Sequence, residues 1–338
     1  MKRIALLLTT LTLAACATTP SAPPVTKTPP ITSSVTNGLE TYMAARARVE
    51  AVAYRLRRAA SPDCARRGKT KPDLGLVVWS LANFPNEQDR TRLAQDFNLS
   101  NAVTVALAVE GAPAASAGLR SGAIVTRVNG EDVGDGKGAT ERFIALSNAA
   151  AKQGPVRVAQ QSGSELTLAA EAICEFPALL VRSADINAAA DGSVLAITTG
   201  LYDLTRNDDE RALILGHELA HNVLGHLAKA STAKPGGILD AFVKSTIGTA
   251  VAAAINRPYS IAFEKEADRV GLYFMARAGY DITAAEAFWK RLNETTRATA
   301  VTATHPTGPE RLKAIQATIA EIQAKQKAGK PLDVTPRR

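Results

Sequence analysis

The sequence predicts an α+β fold in which a small β-rich domain precedes a mainly helical one. Between about residues 70 and 176, short β-branched runs alternate with turns built on Gly and Asn. After Leu204, apolar residues recur at helical spacing, with capping residues at the starts. The chain has 338 residues, 46% of them hydrophobic and 21% charged, enough for two ordinary globular cores. The formal charge is +8. No basic stripe is interleaved with aromatics, so nucleic acid is not an expected partner. The sequence leaves the oligomeric state open.

Met1-Lys2-Arg3 opens the chain with positive charge, and Ile4 to Ala15 is apolar or small. That stretch is too short to span a bilayer as a stable anchor. It ends in Leu13-Ala14-Ala15-Cys16. This resembles the bacterial lipobox, which implies that residues 1–15 are a cleaved signal peptide and that Cys16 carries lipid. By the same resemblance, Ala17 in place of Asp implies a lipoprotein at the outer membrane of a Gram-negative envelope, on its periplasmic face. Residues 16–37 are rich in Pro, Thr and Ser and read as a tether. Fully extended, it reaches roughly 60 Å at about 3 Å per residue.

Residues 38–69 are read as an N-terminal helical segment. Leu39, Met43, Val49, Val52 and Leu56 share one helical face, with Arg46, Arg48, Arg55 and Arg57 largely off it. Its expected role is packing against the domain that follows.

The β-rich domain is expected over 70–176. Candidate strands are Leu76–Leu81, Val103–Val109, Ile124–Val128, Val156–Ala159 and Leu166–Ala170, with a helix over Ala139–Ala151. Pro113 opens a short helix that Gly118 closes, and Asn129-Gly130 makes a tight hairpin turn. The run from Gly111 to Gly122, followed by Ile124 to Val133, looks like the central segment of a bacterial PDZ domain. Ala123 stands where the family usually has an acidic residue. The resemblance implies binding of extended peptides at a sheet edge, with Leu74-Gly75-Leu76 as the candidate carboxylate loop.

Around Phe176-Pro177 the pattern changes, and residues 177–325 read as the helical domain. Asp191-Gly192 is a turn, and Val194–Thr198 is a strand, taken as an edge on which extended substrate pairs. Helices are expected from Asn207, over Ser260–Ala278, from Asp281 to Thr295, and from Pro309 to Lys325. The stretch from Ile238 to Ile255 carries Asp240 and Lys244 and is read as a core helix or active-site cover. Membrane-surface contact is the other option. Residues 326–338 form a basic tail. Cys64 and Cys174 lie outside any CxxC motif, and in an exported chain they are expected to form a disulfide.

The chemistry concentrates in three segments. In His217-Glu218-Leu219-Ala220-His221, the two histidines stand one helical turn apart on one face and suit a single zinc ion. Glu218 is then placed to act on a water as general base. A catalytic zinc needs a third protein ligand. Glu264-Lys265-Glu266-Ala267-Asp268 supplies one: Glu264 and Asp268 share a face, and Glu266 points elsewhere. Glu264 is the expected ligand, and Asp268 the acceptor that orients a ligating imidazole. His305, with Arg311 on the next helix, is a candidate donor pair for a developing oxyanion. Two other roles are open to His305, the fourth zinc position in a resting state or a loop anchor. His226 faces away from the pair if helical rotation continues, and is read as supporting.

This combination resembles the zincin-type metallopeptidases related to the CAAX prenyl proteases and HtpX, where an HExxH helix is followed by an ExxxD helix carrying the third ligand. The resemblance covers roughly 177–325 and includes Asn187-Ala188 and the run from Val194 to Leu201. It implies one Zn2+ per chain, held by His217, His221 and Glu264, with Glu218 as base. It also implies polypeptide substrates, and in the periplasmic branch a lipid-anchored endopeptidase acting on unfolded or misassembled envelope proteins. The competing reading is a peptide-binding adaptor or chaperone-like lipoprotein in which the PDZ-like module dominates.

Overall fold

The computed structural model describes residues 38–230, 259–294, 305 and 309–334. The signal segment with Cys16, the tether, the 238–255 stretch and the end of the basic tail lie outside the described residues.

Helix α1 (Leu39–Ala59) buries Leu39, Met43, Val49, Val52 and Leu56 along one side. Helix α2 (Ser61–Ala65) follows, with Pro62 in its first turn. Then come β1 (Thr70–Asp73), β2 (Leu76–Trp79), α3 (Glu87–Phe97), β3 (Val103–Ala108), α4 (Pro113–Ser116), β4 (Ile124–Val128), β5 (Glu131–Asp132), α5 (Ala139–Ala151), β6 (Val156–Gln160), β7 (Glu165–Leu168) and β8 (Glu171–Cys174). The sequence shows no apolar stripe for α3. It is held by Asn86, whose side chain accepts from the amides of Gln88 and Asp89, and only Leu93 is buried. Strands β2-β3-β4-β6-β7 form an antiparallel sheet, with β5 paired to β4. Asn129 and Gly130 both have positive φ (49° and 87°), as the two-residue turn between β4 and β5 requires. Phe143 of α5 packs with Val103, Val125, Val128, Val156, Val158 and Leu168 in one core.

Gly75 lies in the expected carboxylate loop. Its amide already donates to Asp73 Oδ1 at 2.9 Å. A Cβ placed there would lie 2.2 Å from that of Ala112 and 3.1 Å from the Tyr54 ring. The glycine serves close packing of the chain, and its donor is taken.

The second core holds β9 (Ala178–Val181), β10 (Ala188–Ala190), β11 (Leu195–Thr198), α6 (Thr199–Leu204), α7 (Asp208–Leu224), α8 (His226–Ala230), α9 (Ile261–Arg277), α10 (Ala284–Glu294) and α11 (Pro309–Lys327). The expectation that β11 is a sheet edge is wrong. The order is β10-β11-β9, with β11 antiparallel to β10 and parallel to β9. All four β11 residues are buried, and the edge beside the site is β10. Among the described residues, no helix is long and apolar enough to cross a membrane.

Helix α1 packs on α7, β9 and α9. Its apolar stripe therefore belongs chiefly to this second core rather than to the β-rich part that follows it in sequence. From α1, Tyr54 and the partly buried Ala51 pack with Val109, Ala112 and Ile173. Helices α7 and α9 meet backbone to backbone at Gly216 and Gly271. A Cβ on Gly271 would lie 2.9 Å from the Gly216 carbonyl group. Strands β1 and β8 pair at the base of the β-rich part, where Cys64 and Cys174 are disulfide-bonded. Closing a loop of this length removes on the order of 4–5 kcal/mol of chain entropy from the unfolded state.

Candidate metal centre

The start of α7 is built from its own sequence. The Asn207 side chain accepts from the Glu210 amide at 3.0 Å, and Glu210 in turn accepts from the Arg206 amide at 2.8 Å. From that start the helix runs unbroken to Leu224, so His217 and His221 fall on successive turns facing α9. Glu264 sits in the first turn of α9, capped by Ser260. Donor atoms of His217, His221, Glu264 and His305 all lie within 4.8 Å of one another, and all four residues are buried. The two Nε2 atoms of His217 and His221 are 3.0 Å apart. Each lies 3.4 Å from an oxygen of Glu264. His305 Nδ1 lies 3.3 Å from His217 Nε2 and 3.0 Å from Glu264 Oε2.

Asp268, one turn beyond Glu264, accepts from His217 Nδ1 at 2.9 Å. That bond places the His217 proton on Nδ1 and leaves its Nε2 lone pair aimed into the cluster. A lone pair facing another imidazole nitrogen and a carboxylate is satisfied by a cation between them. Three imidazoles and one carboxylate fit zinc in particular.

Arg311 departs from expectation. Its Nε and Nη2 donate to the two oxygens of Asp268 at 2.6 and 2.8 Å, and Nη1 reaches the His305 carbonyl at 3.3 Å and Glu264 at 3.3 Å. The guanidinium also lies over the Trp289 ring, 4.3 Å from its centre. It acts here as a clamp on Asp268 rather than as a donor aimed at an oxyanion.

The charges agree with this. Burial alone would raise the Glu264 carboxyl, but hydrogen bonds from His217, His221 and His305 hold it well below the usual carboxylate range. Burial is likewise overcome at Asp268, where Arg311 and His217 hold the carboxyl at about 2. Burial disfavours a charged His217, yet its bonds to Asp268 and Glu264 push it up to about 10, so its Nε2 lone pair holds a proton that a bound cation would displace. Burial dominates at His221 and brings it down to about 3. Two ionised carboxylates thus surround a point that favours positive charge.

Glu218 lies beside this point with Oε1 3.5 Å from His305 Nε2. Its Oε2 is buried, with no hydrogen-bond partner among the described residues. Burial raises its carboxyl, against the opposing pull of His305 and His217. A cavity of about 30 Å³ adjoins it, walled by Leu201, Leu213, Ile214, Phe288, Trp289 and Leu292. The buried Trp289 Nε1 has no partner among the described residues.

The sequence singles out His217, His221, Glu264 and His305, which the structure brings together, but not the surroundings of His221. His226 lies 2.9 Å behind it, and Tyr259 stacks on its ring at 4.0 Å while donating to the Ala190 carbonyl. The signal that was present, Gly225, was not used: it ends α7 in the left-handed conformation, so helical rotation cannot be carried on to His226.

With this geometry in hand, residues 157–319 match Peptidase family M48, a stretch running from β6 into α11. Site and match together support a metallopeptidase. Among individual relatives, the mitochondrial metalloendopeptidase OMA1 of Schizosaccharomyces pombe is 30% identical over 154 residues, 40% of this chain and 44% of that protein. A putative beta-barrel assembly-enhancing protease of Vibrio cholerae is 30% identical over 138 residues, 35% of this chain and 28% of the relative. The beta-barrel assembly-enhancing protease of Escherichia coli is 28% identical over 160 residues, 40% of this chain and 33% of the relative. The chain spans less than half the length of each of these relatives.

Proposed function

We propose that the chain is a zinc metalloendopeptidase that hydrolyses peptide bonds in unfolded or misassembled proteins of a bacterial envelope. The observation that carries this is the buried four-donor cluster with the unpartnered Glu218 Oε2 beside it. His217, His221 and Glu264 would hold one Zn2+, with His305 as a fourth donor. When bound, the metal would supply Lewis acidity. Glu218 takes the proton of the attacking water at Oε2 and delivers it to the leaving amine. Burial raises its carboxyl, which makes the carboxylate a stronger base. Asp268, clamped by Arg311, keeps His217 in the ligating tautomer.

Extended substrate pairs with β10, the edge strand whose Ala188 carbonyl lies 3.3 Å from His305 Nε2. An apolar side chain next to the scissile bond enters the cavity between α6, α7 and α10. Pairing of this kind requires an unfolded segment, which supports a quality-control role. We further read Cys16 as a lipid anchor at the periplasmic face of the outer membrane, and residues 70–176 as a PDZ-like module. The antiparallel sheet with α5 against it supports the module. Polypeptides and the lipid bilayer are then the partners.

The experiment is metal analysis with a casein-type cleavage assay on the wild type and Glu218→Gln. The variant retains zinc and loses cleavage by about 10²-fold or more. Equal cleavage by both proteins refutes the mechanism.

A further inference from the structure

His226 is fully buried, yet no step above uses it. Gly225, at φ 67° and ψ 35°, ends α7 and turns the chain back, which brings His226 behind His221. The two Nδ1 atoms are 2.9 Å apart. On its other side, His226 Nε2 lies 3.2 Å from Oε2 of Glu266, a side chain that is 49% exposed. The ring is fixed by stacking on Phe263, centre to centre 4.3 Å and 12° from parallel.

The hydrogen-bond roles follow from the surface inwards. An ionised carboxylate only accepts, so the proton of His226 sits on Nε2. A neutral imidazole protonated there has only a lone pair at Nδ1. His221 must then carry its own proton on Nδ1 and donate it to His226. The lone pair of His221 Nε2 is left pointing at Glu264 and His217, 3.4 and 3.0 Å away.

We propose that Glu266, His226 and His221 form a positioning relay that sets the ligating tautomer and ring orientation of His221, the counterpart of Asp268 on His217. The inference rests on the reading that the cluster holds zinc. It also gives Glu266 a role that its outward direction conceals: it orients a ligand without being one.

The test measures zinc affinity, by competition with a chromogenic chelator, and the thermal unfolding of the metal-free chain. His226→Phe keeps an aromatic ring against Phe263 and removes the acceptor. It should weaken zinc binding by about tenfold or more with metal-free stability unchanged. His226→Gln, which restores an acceptor oxygen, should recover part of that loss. Glu266→Ala, on a half-exposed side chain, should weaken binding in the same direction and Glu266→Gln less. Wild-type zinc affinity in Glu266→Ala, or in a folded His226→Phe, overturns the relay. So does a loss of affinity that merely follows a loss of metal-free stability. If His226→Phe fails to fold, Glu266→Ala decides. A wild-type chain that binds no zinc refutes the metal reading itself, a result distinct from unchanged variants.

Discussion

Replacing Asp268 by Asn probes the link between fold and metal site most directly. Both Asp268 oxygens accept from Arg311, and Oδ1 also accepts from His217. Asn turns one of those acceptors into a donor. In either amide orientation, an N–H then faces an N–H of Arg311. Arg311 is itself buried, with Glu264 as its remaining acidic partner at 3.3 Å. Removing one member of such a pair costs about 3–5 kcal/mol. The proton linkage gives a second figure. The Asp268 carboxyl falls from its ordinary 3.8 to about 2, worth roughly 2–3 kcal/mol at neutral pH. Because the folded value is the lower one, this contribution is fully present above about pH 4. It is lost as the pH falls through the folded value near 2. Urea unfolding of the two metal-free proteins should therefore differ by about 3 kcal/mol at pH 7, and the gap should narrow between about pH 4 and pH 2. Zinc affinity should drop by about 10- to 100-fold. A neutral-pH gap below about 1 kcal/mol, or one that does not narrow in acid, would refute the reasoning.

Three further outcomes can be measured. Gly271→Ala inserts a methyl 2.9 Å from the Gly216 carbonyl group, so the two ligand helices must separate. Metal-free stability should fall by about 1–3 kcal/mol in a denaturant melt, with weaker zinc binding in a chelator competition. His305→Ala removes the fourth donor over the position a substrate would take, and casein cleavage should rise while zinc is retained; a fall would instead mark His305 as a donor to the reacting substrate. Leu213→Phe narrows the apolar cavity beside Glu218. In a peptide series it should lower kcat/KM for bulky apolar residues against alanine by about tenfold.

What the sequence made legible was local. The Asn207 start of α7, the Ser260 start of α9, the Asn129-Gly130 turn and the one-turn spacing of His217 and His221 each depend on a few neighbouring residues, and all recur in the structure. What it concealed was set by distant partners. The runs that became β9 and β11 are continuously apolar, and a buried central strand and an edge strand look alike in such a run. Arg311 appeared available because the carboxylate that binds it lies on another helix. Helix α3 escaped notice because capping and one buried leucine hold it, not an apolar stripe.

The pairing of β1 with β8 has a consequence for engineering. The chain leaves the helical core at Cys64 and re-enters it at Cys174, and their Cα atoms are 5.4 Å apart. A two-residue turn can bridge such a gap. The ladder lies within the intervening stretch, which is tied to the helical core by the Cys64–Cys174 staple, by Leu93 and Leu99 buried in that core, and by the Arg57–Asp73 and Arg58–Glu171 ion pairs. Cutting it out would uncover the apolar surface of the helical core and of Tyr54 that Leu93, Leu99, Val109 and Ala112 now cover. A replacement module must therefore bring that apolar cover with it, as well as two ends 5.4 Å apart.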